Sequence, residues 1–354
     1  MSSLNKSIKP NFWTTHGGSM PHLDCQPLCD RLAATLDIPA WPQLPRRDFR
    51  ENMYAQFSTY LPGIVLDVEK EKVYFDTSNG LATALETFYE SYLANDVSAF
   101  ALSPKQASGF FSMLGSIDKY PGNWVKGQVT GPISLGLTVT DQDMRASLYD
   151  DILVDVLVKN TVMNARWQVQ ELGKARSNVI IFVDEPYMAS FGSAYISLSR
   201  EQVISMLDEV FEGIHDEGGV AGVHCCGNTD WSVLLATKVD ILNLDAYGYI
   251  DNLSLYSTEL RNFLDRGGII AWGILPNDER ITKLSPAGIA RRLRAGLENI
   301  SRRATSRGVE INIEEFTHHS LILPSCGLGP TTVDAANQIL DKLIRTGQLL
   351  QLSR

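Results

Sequence analysis

The sequence predicts an α/β chain folded as a single (β/α)8 barrel, and three observations predict it. About eight short β-branched or apolar runs recur along the chain, most of them separated by stretches with helical spacing. Runs such as Val179-Ile180-Ile181-Phe182-Val183 are continuously apolar, as a parallel strand buried on both faces requires. Polar residues then cluster at or just after the C-terminal ends of the runs: His16, Arg46, Asp184, Glu185, His224, Cys226, Asp245 and Cys326. A doubly wound open sheet would give the same alternation, but no Gly-x-Gly-x-x-Gly fingerprint accompanies it. In a closed barrel the C-terminal strand ends converge on one mouth, where an active site lies. The 354 residues suit one such domain over 1–354.

The elements follow in order. A first strand over 11–15 ends in His16-Gly17-Gly18-Ser19, and a helix over 23–36 leads to a short, proline-bounded strand over 39–44. Two β-rich runs, 63–67 and 72–75, read as a hairpin inserted at about 60–78. Helices at about 81–93 and 104–117 precede the strand 124–129, which Thr130-Gly131-Pro132 closes. A long helical stretch over about 143–173 carries Leu, Ile and Val at helical spacing. The strand 179–183 ends at Asp184-Glu185-Pro186. Ser199 then precedes a helix to about 215, with Glu201-Gln202 in its first turn. Strands at 220–225, 239–245, 268–273 and 321–324 alternate with helices near 252–265, 286–302 and 331–346.

Composition narrows the function classes. At 44% hydrophobic and 20% charged the chain can bury a sizeable core. A net charge of -10 argues against a nucleic-acid or anionic-membrane partner, either of which needs clustered Lys and Arg. No apolar run approaches a membrane span, and residues 1–11 lack the apolar core of a signal peptide. Five cysteines without small-scaffold spacing argue against a disulfide framework. These features read as a soluble cytoplasmic protein whose thiols are free or on metal.

The chemistry centres on His224-Cys225-Cys226-Gly227-Asn228, at the end of an apolar run. Side chains alternate along a strand, so His224 and Cys226 share one side and Cys225 takes the other, in the wall. An imidazole and a thiolate projected together make half of a tetrahedral zinc site, and Cys326 offers a further ligand at another strand end. Such a centre can be structural, but closed structural sites gather their cysteines in Cys-x-x-Cys knuckles, and none occurs here. With three protein ligands, zinc keeps a position for an exchangeable one, and it can hold a substrate thiol as a nucleophilic thiolate.

These residues carry a resemblance. His224-x-Cys226, Pro324-Ser325-Cys326-Gly327-Leu328 and Asp184-Glu185-Pro186 resemble the catalytic barrel of cobalamin-independent methionine synthase. Cys226-Gly227-Asn228 is closer to the methylcobalamin:coenzyme M methyltransferases. Both belong to the uroporphyrinogen decarboxylase/methionine synthase superfamily. The resemblance implies that His224, Cys226 and Cys326 ligate zinc. Asp245 stands near where the methionine synthases have a ligating Glu, and reads either as a ligand or as a loop or helix-capping carboxylate. Asp184 would meet the amino group of homocysteine, and the loop of Gly17, Gly18 and Ser19 would hold its carboxylate.

Departures from that pattern point to the methyl donor. The Gly-Pro segment Gly131-Pro132-Ile133-Ser134-Leu135-Gly136-Leu137 lacks the family's folate-stacking Trp. The region Trp272-Gly273-Ile274-Leu275-Pro276-Asn277 lacks the His that serves as general acid, and the next carboxylate is Asp278. Transfer from a folate nitrogen requires that nitrogen to be protonated, whereas methyl-cobalt leaves as cob(I)amide without a proton. The resemblance therefore implies transfer from methylcobalamin or another methylcorrinoid, presented by a separate corrinoid protein, to a small thiol. Homocysteine is the first expectation. Arg46 and Arg47 fall where the family has a Glu for the homocysteine amino group. Arginine forks suit carboxylate or sulfonate, which keeps a coenzyme M-type acceptor open.

A porphyrinogen decarboxylase is the alternative within the fold, but its Arg-Gln-Ala-Gly-Arg signature is absent and it has no use for zinc ligands. A corrinoid-partner subunit with a structural zinc is the alternative from another class. Cys25 and Cys29, one helical turn apart, read as free thiols, and His318-His319 fall at the barrel's far end. Trp231 reads as packing, and Tyr247-Gly248-Tyr249 as a mouth loop that either lines a cofactor surface or packs.

Overall fold

A computed structural model of the chain describes residues 9–194 and 196–352. Most of the segment 1–11, read as lacking a signal-peptide core, lies outside the described residues.

Seven strands pair in parallel, and their spatial order is β1 (Trp13–Thr14), β9 (Ser320–Pro324), β8 (Ile269–Leu275), β7 (Ile241–Leu244), β6 (Val220–Cys225), β5 (Asn178–Asp184) and β4 (Trp124–Thr130). The sheet curls into a half-barrel with helices packed on its outer face. Register places Thr130, Asp184, His224, Asn243 and Ala271 side by side across β4 to β8. Alternation then divides the side chains into two cores. One, between sheet and helices, includes Val183, Val223, Cys225, Leu242 and Leu244. The other fills the concave side with Ile180, Phe182, Ile241, Ile269, Leu321 and Leu323. The polar ends of the inward rows stand above that second core, which is how the fold positions the site.

The expectation of a closed eight-stranded barrel is corrected at its second strand: ladders join seven strands, and the segment 39–44 makes only single bridges. Its prolines supply the reason, since Pro39 and Pro42 have no N–H to donate. The segment still runs between β1 and β4. Ile38 N–H donates to Thr14 O, Lys126 N–H to Pro39 O, and Trp41 N–H to Lys126 O. Side chains take over where the ladder is missing. The Thr15 hydroxyl donates to Ile38 O at 2.8 Å, and Gln128 Nε2 donates to Trp41 O at 3.1 Å.

The inserted hairpin forms as the two β-rich runs predict, with β2 (Ile64–Asp67) antiparallel to β3 (Lys72–Phe75). The long helix starts later than its periodicity suggests, at Asp151–Gly173. Asp141 folds the preceding residues into a turn by accepting from the N–H groups of Asp143 and Arg145, and Asp150 caps the helix through Ile152 and Leu153. Among the described residues, no helix is long and apolar enough to cross a membrane.

Candidate metal centre

The C-terminal strand ends surround a cavity of about 410 Å3. His224, Cys226 and Cys326, all half-buried, lie in its wall, and one ligand atom from each falls within 4.8 Å of the other two. His224 closes the inward row of β6, Cys226 follows it in the turn, and Cys326 follows β9. Ligands on a tetrahedral zinc sit roughly 3.3–3.8 Å apart, so small side-chain rotations bring these atoms to bonding distance.

Asn243, on the next strand, sets the direction of the imidazole. Its Nδ2 donates to Ala271 O at 2.7 Å, which turns Oδ1 toward His224. That oxygen can only accept, so the 2.5 Å contact is a bond from His224 Nδ1–H, and the lone pair is left on Nε2. Electrostatics favour metal binding as well. Hydrogen bonds from Cys326 and His224 pull the Cys226 thiol down, while donation to Cys226 and burial push Cys326 up. Burial opposes charge on His224, but the bond to Cys226 and the charge of Asp184 outweigh it and raise its pKa. Hydrogen bonds thus link the three groups through shared protons. A soft divalent cation would displace those protons and fits this donor set.

Asp184, which closes the inward row of β5, lines the same cavity. Burial raises its pKa to about 6, against the pull of His224 and Lys126, and its Oδ1 has no hydrogen-bond partner among the described residues. Gly17 and Ser19 stand on the opposite wall with Gly327 and Gly329. Gly18 takes φ +111°, and a Cβ there would strike the Gln128 side chain at 2.8 Å, so this turn requires glycine. Its N–H donates to His16 Nδ1, and Nε2 of that buried ring donates to Ala40 O. His16 therefore has no lone pair free for a metal.

Other expected residues are elsewhere. The Asp245 carboxylate accepts from Gly248 N–H at 2.9 Å and caps a short helix, outside the His224–Cys226–Cys326 group. Arg46 donates to Pro330 O, and Arg47 pairs with Glu51 at 2.8 Å; neither lines the cavity, so no arginine fork faces it. Tyr247 lies between the guanidinium groups of Arg280 and Arg292, at 4.9 and 4.5 Å from its ring centre. Trp231 is fully buried in the outer core. His319 Nδ1–H donates to Gly268 O at the N-terminal end of β8, the far end from the cavity.

Sequence reasoning missed Asn243, Glu51 and Asn277. An Asn inside the run Ile241-Leu242-Asn243-Leu244 is a polar break in a buried strand, and that anomaly was the available signal. Glu51 is fully buried in the cavity wall and accepts from Ser108 Oγ, Leu44 N–H and Arg47. Asn277 lines the cavity just beyond β8, whereas Asp278 turns away to pair with Arg280.

The Asp184-Glu185-Pro186 and Gly131-Pro132 motifs are one structural unit. The buried Glu185 carboxylate accepts from the N–H groups of Ile133 and Ser134 and from the Ser134 hydroxyl, at 2.6–3.0 Å. It thereby caps the helix Pro132–Thr138. A Cβ on Gly131 would meet Glu185 Oε1 at 2.1 Å, so the carboxylate reaches the helix only past a glycine.

No protein-family model matches the chain, and neither does any curated protein sequence. Among solved structures the chain is similar to a B12-independent methionine synthase from Shewanella sp. W3-18-1, in complex with selenomethionine. The identity is 16%, the match covers 97% of this chain and 98% of that one, and the TM-score is 0.55. The likeness is one of fold. A methyltransferase from Methanosarcina mazei aligns over 93% of both chains at 14% identity, with a TM-score of 0.47.

Proposed function

We propose that this protein is a zinc-dependent methyltransferase that moves a methyl group from a methylcorrinoid to the sulfur of a small thiol, with homocysteine as the first acceptor. The observation that carries this reading is the His224–Cys226–Cys326 group in a cavity wall that also holds Asp184. The fold likeness to a methionine synthase solved with selenomethionine agrees with it.

His224, Cys226 and Cys326 would hold the zinc, with Asn243 fixing the imidazole. When bound, zinc supplies the Lewis acidity that lets a thiol shed its proton near neutral pH. Asp184, with an unused oxygen, accepts from the amino group of the acceptor, and the Ser19 hydroxyl offers a hydrogen bond to its carboxylate. The acceptor sulfur donates an electron pair to the methyl carbon and forms the S–C bond. The Co–C bond breaks with both electrons staying on cobalt, and cob(I)amide leaves without a proton. Two features support the corrinoid donor. The Gly131-Pro132 helix presents no Trp to stack on a folate, and Asn277 occupies the wall beyond β8 where a folate enzyme needs an acid. The engagement of Arg46 and Arg47 elsewhere favours an amino-bearing thiol over a sulfonate. In the cell, a separate corrinoid protein would present the donor.

A crossed assay tests this: methylcobalamin and methyltetrahydrofolate, each with homocysteine and coenzyme M, on zinc-loaded protein. Methionine should form from methylcobalamin and homocysteine, and chelation of zinc should abolish it while far-UV circular dichroism is unchanged. Transfer from methyltetrahydrofolate alone would overturn the donor assignment, and preference for coenzyme M the acceptor.

A further inference from the structure

His16 stands just past β1, fully buried and outside the cavity lining, with both nitrogens of its ring engaged. Nε2–H donates to Ala40 O at 3.0 Å, and Nδ1 accepts from Gly18 N–H at 3.2 Å. Resting on the acceptor reading above, we infer that His16 is a positioning residue: it sets the turn over 17–19 so that the Ser19 hydroxyl meets the acceptor's carboxylate. Through the same serine it steadies the turn that carries Cys326.

Backbone pairing leaves a gap at this turn, and the imidazole fills it. β1 is two residues long, and the segment 39–44 beside it makes only single bridges. Gln43 N–H donates to Gly18 O, and Met20 N–H donates to Gln43 O, which fixes the end of the turn. Its start rests on His16, whose ring reaches Gly18 with one nitrogen and Ala40 with the other. Only a neutral ring can do both, since a second ring proton would set a donor against Gly18 N–H. Burial and the charge of Lys126 keep it neutral by lowering its pKa to about 3.

Ser19 then joins two turns. Leu328 N–H donates to Ser19 O at 2.8 Å, and Gly329 N–H donates to Ser19 Oγ at 3.4 Å. A Cβ on Gly327 would meet Ser19 Oγ at 2.1 Å, so the serine sits in the crook of the glycine turn directly after Cys326. Because Oγ accepts from an N–H there, it keeps its own hydrogen for a ligand. Ser19 and Cys326 line the same cavity. A shift at Gly18 therefore moves a hydrogen-bond donor and a metal ligand together, and such donors act only when their supporting residues hold them in place.

The test uses full-length, zinc-loaded protein and two variants. His16→Phe fills the space without an acceptor for Gly18 N–H, and His16→Asn returns an acceptor oxygen close to the place of Nδ1. Isothermal calorimetry compares homocysteine with 3-aminopropane-1-thiol, which lacks only the carboxylate. Partial unfolding reduces the competent fraction and leaves the ratio of the two Kd values, so that ratio reads positioning, while thermal melting records stability. Wild type should prefer homocysteine. His16→Phe should cut that preference about tenfold, the worth of one hydrogen bond to a charged group, and His16→Asn should restore most of it. An unchanged preference in His16→Phe, or a loss that His16→Asn fails to recover, overturns the inference. If wild type shows no preference, the acceptor reading above fails, and zinc affinity in chelator competition decides instead. A loss in His16→Phe that His16→Asn recovers then upholds the positioning role, and any other result overturns it.

Discussion

Asn243 decides which nitrogen of His224 a metal can reach, and it does so through a bond made on the far side of its own amide. Because Nδ2 is engaged by Ala271 O, the carboxamide cannot flip without losing both contacts. Asn243→Leu is therefore expected to lower zinc affinity about 10–100-fold in chelator competition. Lys126 presents the opposite situation: a fully buried ammonium with no hydrogen-bond partner among the described residues, 4.5 Å from the centre of the Phe182 ring. Burial lowers its pKa from 10.5 to about 8, against the attraction of Asp184. The folded pKa lies below the unfolded one, so the unfolded chain binds more protons between those values, and stability rises with pH across that window. Lys126→Met should accordingly stabilise the protein at pH 7 by up to about 3 kcal/mol in urea denaturation, an advantage that vanishes near pH 10.5. At this scale the sequence exposed residue types but not their partners. His224, Cys226, Cys326 and Asp184 were legible because they end apolar runs, Ser19 only through the resemblance, and the structure brings all five to one cavity. Asp245 and Arg47 have the same residue chemistry but face Gly248 and Glu51, and strand-end position cannot distinguish the two outcomes.

The helix Pro132–Thr138 depends on a residue fifty positions downstream. Its first N–H groups have no intrahelical partner, its cap residue is a glycine without a side chain to offer, and the Glu185 carboxylate supplies the acceptors instead. Glu185→Gln presents an N–H where acceptors are needed and should destabilise the fold by about 1–3 kcal/mol, seen as a lower melting temperature. Strands and the hairpin were legible from β-branched or continuously apolar runs. The proline-bounded segment 39–44 was legible as extended chain but not as one limited to single bridges, because two missing N–H donors interrupt its backbone pairing and the Thr15 and Gln128 side chains supplement it.

Across the whole molecule, the apolar cores and the polar mouth are separate. The helix-facing core and the inner cluster are built without His224, Cys226 and Cys326, which stand at strand ends above them. This separation is why chelation is expected to remove activity and leave the fold. Sequence by itself determined the α/β alternation, the inserted hairpin and the inventory of thiols, imidazole and carboxylates, because each follows from local periodicity and residue chemistry. Only the tertiary structure decided which of those groups converge, that Asn243 orients His224, that the ladder stops at seven strands, and that His16 ties the Gly18 turn to Ala40. The reason is physical: register and strand curl set distances between residues far apart in the chain, and local pattern carries no information about them.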